Sequence, residues 1–222
     1  MGIRSFLNVV ADALFPHINR CVCCDVERDV DGGLCPRCAK VLHVQTAGET
    51  TAAGFPAYCA YRYDGAAAKL VKRYKYSGQK WLRTMMADIL AERIEQMEDR
   101  RFDCVCHVPL HQKRRRRRGF DQAEELAKRL AEMTGIPFVP ALRRDRNTKT
   151  QTKLNVRERQ ENMRGAFSHT MAVYGNVLLI DDVLTTGATA CACANALMAA
   201  GARSVFVLTF ARAVNGDGET NG

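Results

Sequence analysis

Two adjacent carboxylates, Asp181 and Asp182, are followed closely by Thr185, Thr186, Gly187, Ala188 and Thr189. The acids come directly after Val177–Ile180, a wholly apolar run. A hydroxyl-rich loop that opens a helix offers unpaired backbone N–H groups and the positive end of the helix dipole, which together suit a phosphate. Threonine hydroxyls add donors, and Gly187 lets the backbone come close to an anion. Carboxylates cannot hold that phosphate, because like charges repel, but they accept hydrogen bonds from sugar hydroxyls. A phosphate beside a vicinal diol describes a ribose 5-phosphate.

Such a site needs a rigid mount. The run Val177–Ile180 reads as a central strand buried on both faces of a parallel sheet, ending where the two acids arrive. Ala188 to Ala200 has strong helix propensity and stops at Gly201. The expected order is strand, acidic pair, tight polar loop, helix.

A second chemistry sits near the amino terminus. Cys21-Val-Cys-Cys24 and Cys35-Pro-Arg-Cys38 form two Cys-x-x-Cys knuckles around the turn signal Asp31-Gly32-Gly33. Cys21, Cys24, Cys35 and Cys38 make a closed tetrahedral thiolate set for a structural Zn²⁺, with Cys23 left over. Four sulfurs also suit iron or an iron–sulfur cluster. A closed shell leaves no open position for catalysis, so its role is to fold a segment too short for its own core.

The remaining segments are read more coarsely. Residues 3–15 are amphipathic and read as a helix. Residues 44–56 lack a period and read as a linker. Tyr58–Tyr63 reads as a strand, with helices over 66–76 and 81–98. Cys104–Pro109 is a further buried strand candidate, leading into the cationic run Lys113, Arg114, Arg115, Arg116, Arg117 and Arg118. Asp121 with Glu124 three residues on has the form of a capping box, opening a helix that Gly135 stops. Ile136–Val139 and Ser204–Phe210 read as strands, Thr148–Lys153 as a loop able to act as a lid, and 215–222 as a disordered tail. Gln151 and the arginines around Arg157 are the candidate lid contacts.

The bulk composition narrows the class. A chain of 222 residues, 47% hydrophobic and 26% charged, can build a real core. No apolar run is long enough to span a bilayer and no signal peptide is evident, so a cytoplasmic protein without membrane insertion is expected. That compartment favours metal over disulfides for the clustered members of its ten cysteines. Residues 1–50 hold five Lys/Arg against six Asp/Glu, and residues 51–222 hold twenty-eight against eighteen. The positive excess lies wholly in the second part, which suits polyphosphate or nucleic acid. Surface aromatics are not closely spaced beside the basic run, so sequence-specific stacking is not predicted.

Over all thirteen positions from Val177 to Thr189 the chain resembles the signature of type I phosphoribosyltransferases for 5-phosphoribosyl-1-pyrophosphate (PRPP). The resemblance implies an α/β fold, a mainly parallel sheet flanked by helices. Asp181 and Asp182 would then be catalytic, and Thr185, Thr186, Gly187, Ala188 and Thr189 would bind the 5-phosphate. The loop after an earlier strand would receive pyrophosphate, here Pro109, Leu110 and His111 with Arg117 and Arg118, and Mg²⁺ would accompany PRPP. Lys113, Arg114, Arg115 and Arg116 remain candidates for nucleic acid.

Taken whole, the chain resembles the ComF family of competence-protein F relatives, also called ComFC or GntX. The paired Cys knuckles, Tyr63-Asp-Gly, Tyr74-Lys-Tyr-Ser-Gly78, Val108-Pro-Leu-His and Arg117-Arg-Gly-Phe-Asp-Gln122 carry this resemblance, with Arg159 to Phe167 and the acidic-pair motif. Asp121 stands where that pattern has asparagine. The implied organisation is a helix and zinc-ribbon-like module over 1–50, a phosphoribosyltransferase-like domain over 51–214 and the tail over 215–222. The implied role is the handling of internalised single-stranded DNA in natural transformation.

Three functions stay open on the sequence. One is an active phosphoribosyltransferase of unknown acceptor. Another is a PRPP-binding module that holds single-stranded DNA. The third is a zinc-stabilised adaptor for a DNA-uptake helicase.

Overall fold

The computed structural model describes residues 20–26, 30, 33–44, 46–52, 54–76, 81–97, 101–146, 163 and 165–213. The expected helix over 3–15, the lid over 148–153 with Gln151 and Arg157, and the tail over 215–222 lie outside the described residues. The chain divides into two compact units after Gln45.

In the first unit the knuckle turns are fixed by backbone hydrogen bonds. Val22 N–H donates to Gly33 O at 2.9 Å and Asp25 N–H to Cys21 O at 2.8 Å. Helix α1 (Pro36–Val44) follows, with proline at the first helical position, where a missing N–H costs nothing.

The second unit runs β1 (Thr46–Ala52), β2 (Phe55–Arg62), α2 (Gly65–Tyr76), α3 (Leu82–Glu95), β3 (Cys104–His107), α4 (Gln112–Arg118) and α5 (Gln122–Thr134). It continues with β4 (Leu142–Arg144), β5 (Phe167–His169), β6 (Asn176–Leu184), α6 (Ala188–Ala199) and β7 (Ser204–Arg212). One five-stranded sheet has the order β1-β2-β7-β6-β3, and β4 and β5 form a separate antiparallel pair. Within the large sheet only β1 is antiparallel to its neighbour, so the architecture is α/β with a mainly parallel sheet flanked by helices.

Burial on both faces explains the apolar runs in β6 and β7. Val177 and Leu179 of β6 join Cys104 and Cys106 of β3 and Val205 and Val207 of β7 in one cluster with Cys193, Ala194 and Leu197 of α6. Alternation turns the fully buried Leu178 and Ile180 to the opposite face. There α3 and α5 pack against each other and against the sheet.

Several sequence expectations are corrected here. Most of the 44–56 stretch is not a linker. Thr46–Ala52 is an edge strand whose backbone pairs from Thr46↔Tyr61 to Ala52↔Phe55, a register that no local apolar period announces. The cationic run is not a loop but α4, with His111 as N-cap and left-handed Gly119 (φ 84°) as C-cap. Ile136–Val139 makes only an isolated bridge, Phe138 to Val105, because the chain touches the edge of β3 and leaves. The second long helix ends at Glu95 rather than residue 98. Strand β6 does not end at the acids but continues to Leu184, because β7 keeps pairing with it as far as Leu184↔Arg212.

Candidate functional site

Strand β3 accompanies β6 only to His107↔Ile180. A last bond from Val108 N–H to Ile180 O, at 3.0 Å, marks the parting. The acidic pair follows immediately, at the carboxyl end of a parallel strand, where open α/β sheets place ligands. Alternation sends Asp182 to the face of Leu178 and Ile180 and Asp181 to the face of α6. The two carboxylates are thus borne on opposite faces of one strand end. Both line a cavity of about 330 Å³ with Tyr63, Lys75, Thr185, Gly187 and Thr189.

The loop geometry matches the expected chemistry in part. Helix α6 begins at Ala188, so its first-turn N–H groups have no intrahelical acceptor. Thr186 Oγ1 is buried without a partner among the described residues, and a buried hydroxyl in that state suits a bound acceptor. Gly187 has a further reason besides the one expected. It is left-handed (φ 77°), and a Cβ there would meet the Ala52 backbone at 3.1 Å. The glycine lets the loop pass β1.

Electrostatically the pair is asymmetric. Asp182 Oδ1 lies 2.8 Å from Lys75 Nζ. Asp181 Oδ1 accepts from the Asp182 backbone N–H at 2.8 Å. Loss of hydration, then repulsion by Asp182, push the Asp181 carboxyl up to about 8, against the pull of Lys75. Burial opposes the Lys75 ammonium, but the Asp182 and Asp181 carboxylates and Tyr63 outweigh it and raise its pKa. Lys75 and Tyr63 were not read as site residues. The only sequence signal for them was their place in the Tyr74-Lys-Tyr-Ser-Gly78 and Tyr63-Asp-Gly motifs.

The expected pyrophosphate residues do not line this cavity, but they begin beside it. Pro109 is buried and Leu110 and His111 half-buried. His111 Nδ1 accepts from Lys113 N–H at 3.2 Å to cap α4. Asp121 fastens this corner, its Oδ2 accepting from Leu110 N–H at 2.7 Å and its Oδ1 from Glu124 N–H at 3.3 Å. Half of the capping box is therefore present. The Glu124 side chain turns instead to Lys128 Nζ at 2.7 Å and Arg115 at 3.0 Å. Removing the Asp121 acceptor strands two N–H groups, so Asp121→Ala is expected to cost about 2 kcal/mol in urea unfolding. Asp121→Asn keeps one carbonyl acceptor and should cost less than half as much. Equal losses in the two variants would refute the bracing role.

Of the α4 cations, Lys113, Arg115, Arg116 and Arg117 are exposed and Arg114 and Arg118 half-buried. Arg118 donates to Gln122 Oε1. Its guanidinium also stacks 5.2 Å from the Tyr76 ring centroid. Tyr76 is 71% exposed, so an aromatic face does stand beside the basic run, brought there by tertiary folding. His107, Asp121 and Glu124 bring ligand-type atoms within 4.8 Å of one another. The engaged oxygens of both carboxylates make this a braced corner rather than an open cation site.

In the first unit Cys21, Cys24, Cys35 and Cys38 bring their sulfurs within 4.8 Å of one another. Cys23 is buried outside the set. Burial works against the Cys21 thiolate, but hydrogen bonds from the Cys35, Cys24 and Cys23 backbone and the Cys24 thiol draw it down to about 6. Four converging sulfurs, one favouring the thiolate, fit a structural zinc.

No protein-family model matches the chain. Competence protein F of Haemophilus influenzae (strain ATCC 51907 / DSM 11121 / KW20 / Rd) is 32% identical over 155 residues, covering 65% of this chain and 67% of that protein. The DNA utilization protein YhgH of Salmonella typhi is 37% identical over 112 residues, 50% of this chain and 49% of its own length. Among solved structures, a glutamine PRPP amidotransferase from B. subtilis superposes with a TM-score of 0.42 at 23% identity, over 63% of this chain and 30% of that one. With nearly a third of aligned residues shared over two thirds of competence protein F, the chain belongs to the ComF family.

Proposed function

We propose that the cavity at the end of β6 binds a 5-phosphoribosyl group, with PRPP as its donor form, in a protein that handles single-stranded DNA during uptake. The observation that carries this reading is the meeting of Asp181 and Asp182 with Thr185, Gly187 and Thr189 around one cavity, where Ala188 opens the helix. The α6 N-terminus and the threonine hydroxyls hold the 5-phosphate. The two carboxylates accept hydrogen bonds from the ribose hydroxyls. Pyrophosphate lies towards Pro109, Leu110 and His111, with Arg117 and Arg118 offering positive charge as it departs. Mg²⁺ fits the cavity's own carboxylates poorly, because Lys75 already compensates Asp182, so no step is assigned to it.

The DNA half of the reading rests on the names of the relatives, competence protein F and DNA utilization protein. The arginine-rich α4 supports it, and the exposed ring of Tyr76 offers a stacking face. The same reading places the protein in the cytoplasm, with a DNA-uptake helicase as protein partner. None of the described helices is long and apolar enough to cross a membrane.

Two measurements test it. Calorimetric titration should detect PRPP binding, and pyrophosphate release over a panel of bases, amines and DNA ends should separate a transferase from a binder. Absence of PRPP binding overturns the reading. Single-stranded DNA affinity should fall steeply with salt, and neutralising Arg115, Arg116 and Arg117 should reduce the slope by about two units or more. A slope unchanged in that variant removes α4 from the DNA surface.

A further inference from the structure

The last turn of α2 touches both halves of the proposed site. The Tyr74 ring packs edge-on against Phe120, and its hydroxyl donates to Gln122 O at 3.1 Å. Tyr76 carries Arg118 on its ring. These two tyrosines face the corner between α4 and α5, whereas Lys75 between them reaches the acidic pair. Its Nζ lies 2.8 Å from Asp182 Oδ1, with 20% of the Lys75 side chain and 11% of the Asp182 side chain exposed. A lysine is seldom withdrawn from water to this degree without a fixed partner.

Two neighbouring carboxylates left to themselves either repel, so that one takes up a proton, or recruit a divalent cation. A cation in the cavity would occupy the oxygens that a sugar diol needs. An ammonium held on one acid compensates charge and leaves other lone pairs of the pair free. We propose that Lys75 is a positioning residue of the phosphoribosyl site. It acts as an internal counter-ion that fixes Asp182 and keeps the acidic pair a hydroxyl-binding centre instead of a cation-binding one. The proposal rests on the phosphoribosyl reading above for its ligand, but the counter-ion role has a readout of its own.

The test uses the full zinc-loaded chain as wild type, Lys75→Met, Lys75→Arg and the double variant Lys75→Met/Asp182→Asn. Ribose 5-phosphate and PRPP affinities are measured by calorimetry, and Mn²⁺ binding without sugar ligand by electron paramagnetic resonance. Mn²⁺ prefers oxygen donors and leaves a four-thiolate centre alone. Lys75→Met should lose about tenfold or more in ligand affinity. It should also gain one Mn²⁺ site per chain that the wild type lacks and the double variant abolishes. Lys75→Arg, which keeps the charge, should retain most of the affinity and gain no Mn²⁺ site.

Wild-type affinity in Lys75→Met overturns the proposal whatever Mn²⁺ does. Lost affinity without a new Mn²⁺ site, and without rescue by Lys75→Arg, assigns Lys75 a merely structural role and overturns it equally. A wild type that binds neither sugar phosphate defeats the phosphoribosyl reading, while a Mn²⁺ site appearing in Lys75→Met would still establish the counter-ion.

Discussion

Asp182→Ala is expected to weaken PRPP binding by roughly 100-fold, two hydrogen bonds to a charged group being worth about 3 kcal/mol together, and Asp181→Ala, which removes a carboxyl held at about 8, by less. Any pyrophosphate release should vanish with them. The two variants should differ in stability. Asp182→Ala leaves the Lys75 ammonium largely buried and unpaired, which costs on the order of 3 kcal/mol. Asp181→Ala removes a carboxyl that the fold already holds at about 8, so it should be tolerated far better.

The same carboxyl sets a pH dependence with a definite sign. An unfolded aspartate titrates near 4, whereas folded Asp181 titrates at about 8, burial being the main cause and Asp182 the next. Between those values the folded chain holds a proton that the unfolded chain has released. The stabilisation is complete below the unfolded value and is lost as pH rises through about 8. From pH 6 to pH 9 the wild type should lose on the order of 2–3 kcal/mol relative to Asp181→Asn, followed by urea unfolding. Parallel pH profiles for the two proteins would show that Asp181 titrates as an ordinary surface acid. Equal PRPP affinity in the wild type and Asp182→Ala would remove the pair from the ligand site.

With zinc as the ion that the four sulfurs fit, withdrawing it should have the second large effect. Among the described residues of the first unit only Cys21, Val22, Cys23, Cys35 and Leu42 are buried apolar groups, and three of these are cysteines. So small a core does not offset the chain entropy of folding without a cross-link. Chelation, or Cys35→Ser, should release one zinc per chain and abolish hydrogen-exchange protection over 20–44. Protection in β3, β6 and β7 should survive, since their core is supplied by α3, α5 and α6. Protection retained over 20–44 in the metal-free chain would show that the module folds without its ion.

These expectations draw unequally on sequence and structure. The four sulfurs, the helix opened by Asp121 and the order of strand, acids, threonine loop and helix were legible in the chain. Each is a pattern of neighbouring residues whose local geometry follows from backbone rules: knuckle spacing, N-capping, and a polar loop before a helix. The edge strand β1 was not legible, because its pairing comes from β2 rather than from a period of its own. The continuation of β6 through the acids was likewise decided by β7.

The acidic pair shows the division most clearly. Its residue types alone indicated hydroxyl binding next to a phosphate. That Asp182 faces α2 while Asp181 faces α6 followed only once the strand was known to continue. The partner of Asp182 is a lysine from a distant helix, and the aromatic face beside Arg118 comes from that helix too. Local sequence determined which groups the site holds. Long-range packing decided their charge and company, because burial and neighbours are properties of the folded chain and not of any stretch within it.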